Sequence, residues 1–169
     1  MDTSNFTSEY VPDAKYPMLK IKENGKQPLL VLKEPRKMSI QSKTEYMGDK
    51  IIGEQLRFDL TKKEVKLMKK LRDYAQELVD ESSDIPSKLK DVEVKKPYVE
   101  NDNPHMYVNV SKYTKKCGSK FGEGKAVLAL RGVLLCPEYK CIKLQFQCQQ
   151  VKIKPDPRKE YLEQLLEDW

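Results

Sequence analysis

Histidine is nearly missing from this 169-residue chain, with His105 its only representative. So little imidazole leaves scant material for general acid–base catalysis, and neither a Gly-x-Ser-x-Gly nor a His-x-x-x-His pattern occurs. Between Pro104 and Met106, in a polar stretch, His105 reads as a lone surface histidine. Cysteine is scarce as well, and Cys117, Cys136, Cys141 and Cys148 contain no C-x-x-C pair, which excludes a zinc ribbon or a thioredoxin-type dithiol. Free thiols are expected, with Cys148 in the core and Cys136 facing Cys141 across a hairpin, and neither a metal nor a cofactor is expected. Long apolar runs are also lacking: the longest, Ala126 to Cys136, is interrupted by Arg131 and Gly132 and falls well short of the ~18 residues that span a bilayer. The opening Met1-Asp-Thr-Ser-Asn-Phe6 has neither a basic stretch nor an apolar segment of the kind that directs secretion. The expectation is an intracellular protein, in nucleus or cytoplasm, that does not engage a membrane.

What remains is a charged chain, 34% Asp, Glu, Lys and Arg, with 38% hydrophobic residues to build one compact core. Residues 1–17 are polar, carry two prolines and predict a flexible arm. Residues 18–157 predict a β-rich domain with one inserted helix. Leu29–Leu32 and Lys37–Gln41 read as short extended pieces, 45–50 as a turn, and Ile51–Leu60 as a strand in which Leu56, Phe58 and Leu60 alternate with polar residues. Thr61 and Glu64 then stand at capping-box spacing, with Leu60 and Val65 placed for a hydrophobic staple. Val65, Met68, Leu71, Ala75, Leu78 and Val79 recur at helical intervals, so a helix over 62–80 packs on the sheet. Met106–Val110 reads as a strand and 112–125 as a basic, glycine-containing loop. Lys125–Leu135 and Ile142–Cys148 form a hairpin, and a phase change at Gln149-Gln150 predicts a bulge before Val151 and Ile153. Strands, a helix and more strands without a βαβ repeat indicate a small mainly β domain, either an open barrel or a sandwich.

Gly118–Lys125 invites comparison with a phosphate-binding loop. It has five residues instead of four before Gly124-Lys125, continues with Ala126 where a hydroxyl is required, and leads into a strand rather than a helix. Nucleotide hydrolysis is therefore not expected, and the chain is read as a non-enzyme.

Charge is more informative. The formal net charge is +6, and four acids with no basic residue in the final ten leave +10 on the rest. From Lys88 to Lys154 there are 14 Lys plus Arg against six acids, interleaved with aromatics. Cations pair with phosphates, and aromatic faces stack on unpaired bases at ~1–3 kcal/mol each. The candidate nucleic-acid contacts are Lys112, Lys115, Lys116, Lys120, Lys125, Arg131, Lys143 and Lys152 for phosphates, with Tyr107, Tyr113 and Phe121 as stacking platforms. Phe146 alternates with Leu144 and Cys148 and is assigned to the core. The acidic segment 158–169 surrounds an apolar stripe and ends on the only tryptophan, making Tyr161, Leu165, Leu166, Asp168 and Trp169 candidate partner contacts. It reads either as a terminal helix docked on the body or as a mobile acidic peptide.

Several stretches together resemble an OB-fold single-stranded-DNA-binding protein family of large DNA viruses and virus-like mobile elements. They are Pro28–Met38, Leu56–Leu60 running into a helix, Tyr107–Val110, Lys120–Lys125 and the closing Gln147–Ile153. The resemblance covers roughly residues 28–154. The terminal Glu167-Asp-Trp169 is similar to the acidic, aromatic-tipped tails of replicative single-stranded-DNA-binding proteins. What the resemblance implies is an OB-like five-stranded barrel whose groove holds single-stranded DNA, or RNA in second place, during replication or repair. It further implies replication proteins as partners of the tail, and a host-cell location if the source is viral. The alternative expectation is a structural or protein-interaction module, such as a viral assembly component, that forms a homo-oligomer through its C-terminal segment.

Overall fold

The computed structural model describes residues 1–12, 16–44 and 50–168, except for the side chains of Lys159 and Glu160. The turn expected at 45–50 lies almost wholly outside them, and so does Trp169. The described chain is mainly β, with nine strands and two helices. These are β1 (Phe6–Val11), β2 (Met18–Glu23), β3 (Leu29–Thr44), β4 (Ile51–Asp59), α1 (Lys62–Glu81), β5 (Val94–Lys95), β6 (His105–Val110), β7 (Lys115–Gly118), β8 (Phe121–Cys136), β9 (Cys141–Pro155) and α2 (Pro157–Glu167).

Five strands close on themselves in the order β3-β4-β6-β9-β8, with β8 returning to β3. Every contact in this ring is antiparallel except β6 with β9, which is parallel and joins at Asn109 and Gln147. Period-two alternation drives the closure, because each strand has one dry and one wet face. Leu32, Met38, Leu56, Phe58, Met106, Val108, Leu128, Leu130, Leu144 and Phe146 all point inward and are buried. The phase change expected in β9 is present: Val127 pairs with Gln150 and Leu128 with Cys148, so Gln149 is the extra residue.

The helix forms as its local signals dictate. Thr61 accepts from the Glu64 backbone and the Glu64 carboxylate accepts from the Thr61 backbone, completing the capping box. Met68, Leu71, Ala75 and Val79 join the core of the ring. Arg36, in the irregular stretch of β3, donates to Glu64 and to the Asp59 carbonyl, which ties the helix start to the sheet.

Four expectations are corrected. Residues 1–17 are not simply an arm: β1 pairs with β2 over six residue pairs, and Phe6 packs its ring edge-on against Tyr74 of α1 at 5.3 Å. The basic segment 112–125 contains β7, which adds in parallel to β9, and the first residues of β8. The extended pieces expected at Leu29–Leu32 and Lys37–Gln41 do not stay separate: Leu29 to Thr44 is one strand, irregular between Leu32 and Arg36. His105 is buried rather than on the surface, its Nδ1 within 2.9 Å of the Asn103 carbonyl and its ring edge-on to Tyr107.

The cysteines are free thiols. Cys148 is buried in the ring, which pushes its thiol up to about 12, and Cys136 and Cys141 are register partners at the end of the β8–β9 hairpin. Among the described residues, no helix is long and apolar enough to cross a membrane.

Candidate nucleic-acid interface

Outward-facing residues of the ring fall into rows that run across neighbouring strands. One row is Gln41, Gln55, Asn109 and Gln147, successive register partners on β3, β4, β6 and β9. Strands are spaced ~4.8 Å apart, so these carboxamides form a polar stripe across four strands. The neighbouring row is Ser39, Arg57 and Tyr107. Tyr107 is 44% exposed and stands between the buried Met106 and Val108, so its ring faces out.

Cations border this surface. Lys43 donates to the Asn109 carboxamide at 3.2 Å, and Arg131 donates to that of Gln147 at 3.4 Å. Burial holds the Lys43 ammonium below the ordinary lysine range, and the positive charge of Lys143 adds to the effect. Lys143 stands on the outward face of β9, with Gln145 between it and Gln147. Gln147 also donates to the Ser111 hydroxyl, and that hydroxyl accepts from the Tyr113 backbone, so the turn after β6 is tied to the same row. Arg57 has an acidic neighbour, Asp59, at 3.7 Å.

The sequence candidates divide over this surface. Tyr107 and Arg131 lie beside the carboxamide row, and Lys143 lies two outward positions from Gln147 along β9. Tyr113, 79% exposed, sits at the adjoining turn with the Lys112 ammonium 5.1 Å from its ring centre. Lys116 and Lys120 both reach Glu54, at 3.0 and 3.6 Å. Glu54 has the strand parity of Leu56 and Phe58, so these two lysines close over one end of the ring's interior. The Lys116 hydrogen bond holds the Glu54 carboxyl below its usual range, with Lys120 assisting. Lys125 and Lys152 are outward register partners on β8 and β9, and β7 places Cys117 beside Lys152 and Lys115 beside Gln150. They form a second basic patch farther along β9. Phe121, at the start of β8, is half exposed.

Between the two patches the outward residues of β9 are Lys143, Gln145, Gln147, Gln149, Gln150, Lys152 and Lys154, without an acid. A polyanion laid along β9 would meet cations and carboxamides along its length, with Glu123 of β8 facing Lys154 at its far end. Sequence reasoning missed Lys43, Arg57, Gln41, Gln55 and Asn109. The signal was there in the alternation of Gln55, Arg57 and Asp59 with Leu56 and Phe58, but only pairing shows which strands share a face.

The tail does not dock through its stripe. In α2, Tyr161, Leu162, Leu165 and Leu166 are all exposed, as is Asp168 just beyond it. Asp156 caps the helix by accepting from the Arg158 backbone. Among the described residues, no group of three His, Cys, Asp or Glu is placed to hold a metal ion. Comparison with protein-family models, with curated proteins and with solved structures finds no match to this chain.

Proposed function

We propose that this protein binds single-stranded DNA without sequence preference, as a non-enzymatic coat for strands exposed inside the cell during replication or repair. The ring supports an OB-like reading: numbered along the ring's own strands, its order is first, second, third, fifth, fourth, with the third and fifth parallel. In OB folds the outer face of the second and third strands, with the loops joining first to second and fourth to fifth, takes oligonucleotides. Here that face is β4 and β6, and the loop joining β8 to β9 is Pro137–Tyr139 with Lys140. One departure is the helix, which lies between the second and third ring strands.

The observation that carries the proposal is the outer face itself: an exposed tyrosine and a row of carboxamides, edged by Lys43, Arg57, Arg131 and Lys143. Ring stacking tolerates any base, and cations follow the backbone, so such a surface binds strands by chemistry common to all sequences. RNA shares that chemistry and ranks second. A fluorescence anisotropy titration with oligo-dT at two salt concentrations is the test, with log affinity expected to fall by ~0.7 per phosphate neutralised for each decade of salt. Absence of binding at low salt, or a flat salt response, overturns the proposal.

The exposed stripe of α2 favours a second reading, a structural or protein-interaction module that oligomerises through its C-terminal segment, Tyr161, Leu165, Leu166, Asp168 and Trp169. Deleting residues 160–169 separates the two. A DNA binder keeps or gains affinity as acid is removed, whereas an assembly module falls to monomers on a sizing column.

A further inference from the structure

The β1–β2 hairpin lies outside the five-strand ring, yet it brings new cations to the ring's surface. β2 pairs with β8 only over Met18–Lys20, opposite Gly132–Leu134. β3 takes the same edge of β8 from Ala129 onward, pairing it with Leu29. Leu130 and Arg131 occupy the gap between the two strands. On the other edge of β8, Leu130 pairs with Phe146 and Gly132 with Gln145, so Arg131 is the extra residue of a bulge. Bulges re-aim side chains. This one turns the guanidinium outward, where it bonds Gln147 at the end of the carboxamide row and also lines a cavity of about 420 Å³. The other polar lining residues described for that cavity are Lys20, Lys22 and Gln27, with Val11, Met18 and Ile21 as its apolar part.

Lys20 and Lys22 share an outward face because Leu19 and Ile21, which alternate with them along β2, are buried. Glu9, the register partner of Lys20 on β1, is not among the described lining residues. Three cations around one hollow, with no acid among its described lining residues, suit a phosphate. Arg131 is common to the hollow and to the central face.

Resting on the single-stranded reading above, we propose that Lys20 and Lys22, with Gln27, form a distal phosphate subsite that continues the binding track past Arg131 and lengthens the strand each protein covers. A strand crossing β4, β6 and β9 leaves the ring over Arg131 and enters this hollow next. The ring alone serves a short oligonucleotide. A longer one also fills the hairpin subsite, and its affinity then depends on two lysines that the short one never meets.

The test compares oligo-dT of about 8 and about 30 nucleotides, the first within and the second beyond the ~4–16 nucleotides one OB domain covers. The protein variants are the parent, K20Q/K22Q and Glu9→Gln. The expected result is a roughly tenfold loss for the long oligonucleotide in K20Q/K22Q, a salt dependence shallower by ~1.4, and no change for the short one. Glu9→Gln tightens the long oligonucleotide only, and guards against a folding defect in the double variant. Equal weakening of both lengths, or no effect on either, overturns the subsite. A parent protein that binds neither length overturns the central reading instead.

Discussion

Arg57 and Tyr107 are register partners on β4 and β6 and present their side chains to the same outer face, fifty positions apart in the chain. A base stacked on Tyr107 would bring its phosphate within the field of Arg57. Tyr107→Ala should therefore weaken oligo-dT binding by about tenfold, in keeping with ~1–3 kcal/mol per stacked base. The ring is 44% exposed, so the melting temperature should hardly change. Anisotropy and thermal melting on one preparation test this; undiminished affinity removes Tyr107 from the interface.

Glu54 draws Lys116 and Lys120 to one end of the ring's interior. Removing its charge in Glu54→Gln should free both ammonium groups for phosphate. Affinity should rise and the salt dependence should steepen, by at most ~1.4 if both lysines take up a phosphate. Unchanged binding would mean that these lysines stay clear of the strand, leaving Lys43, Arg131 and Lys143 as its main cations.

The Arg36–Glu64 pair predicts how stability responds to acid. Burial pushes the Glu64 carboxyl up, but Arg36 and the Thr61 capping contacts outweigh it and leave the group below its ordinary value of 4.5. A lowered folded pKa means that the stabilisation is complete above the unfolded value and is lost as pH falls through the folded one. Both side chains are largely buried, at 8% and 14% exposed, so Glu64→Gln should cost about 3 kcal/mol near neutral pH. The gap between parent and variant in urea melts should narrow below about pH 4. A gap independent of pH would show that the charge on Glu64 contributes nothing.

These residues also show what the chain reveals before folding. The capping box at Thr61 and Glu64 is a code of three residues' span and was readable directly, as was the extra residue at Gln149. The partner of Glu64 was not, because Arg36 lies 28 positions away and reaches it only after β3 and the helix are docked. The same holds for the interface. Lys112, Tyr113, Lys116 and Lys120 drew attention as neighbours in sequence, yet two of them turn to Glu54. Gln41, Gln55, Asn109 and Gln147 form a row only because four strands settle in one register. Strand pairing is non-local, and composition cannot announce it.

Gly132 decides whether the β1–β2 hairpin stays attached to the ring. It is the register partner of Lys20, and its backbone φ is +157°. A Cβ at this position would lie 2.2 Å from the Leu19 carbonyl oxygen, against backbone that has no rotamer to yield. Gly132→Ala should therefore push β2 away from β8 at a cost of about 1–3 kcal/mol, the scale of local backbone strain. The damage should be confined. Amide exchange should accelerate at Met18, Leu19 and Lys20, while Leu56, Phe58 and Val108 in the ring stay protected. Detaching β2 also moves Lys20 and Lys22 from Arg131, so the variant should lose affinity for the long oligonucleotide and keep it for the short one. Unaltered protection at Lys20 would show that the β2–β8 contact tolerates the methyl group and that the hairpin is not held through Gly132.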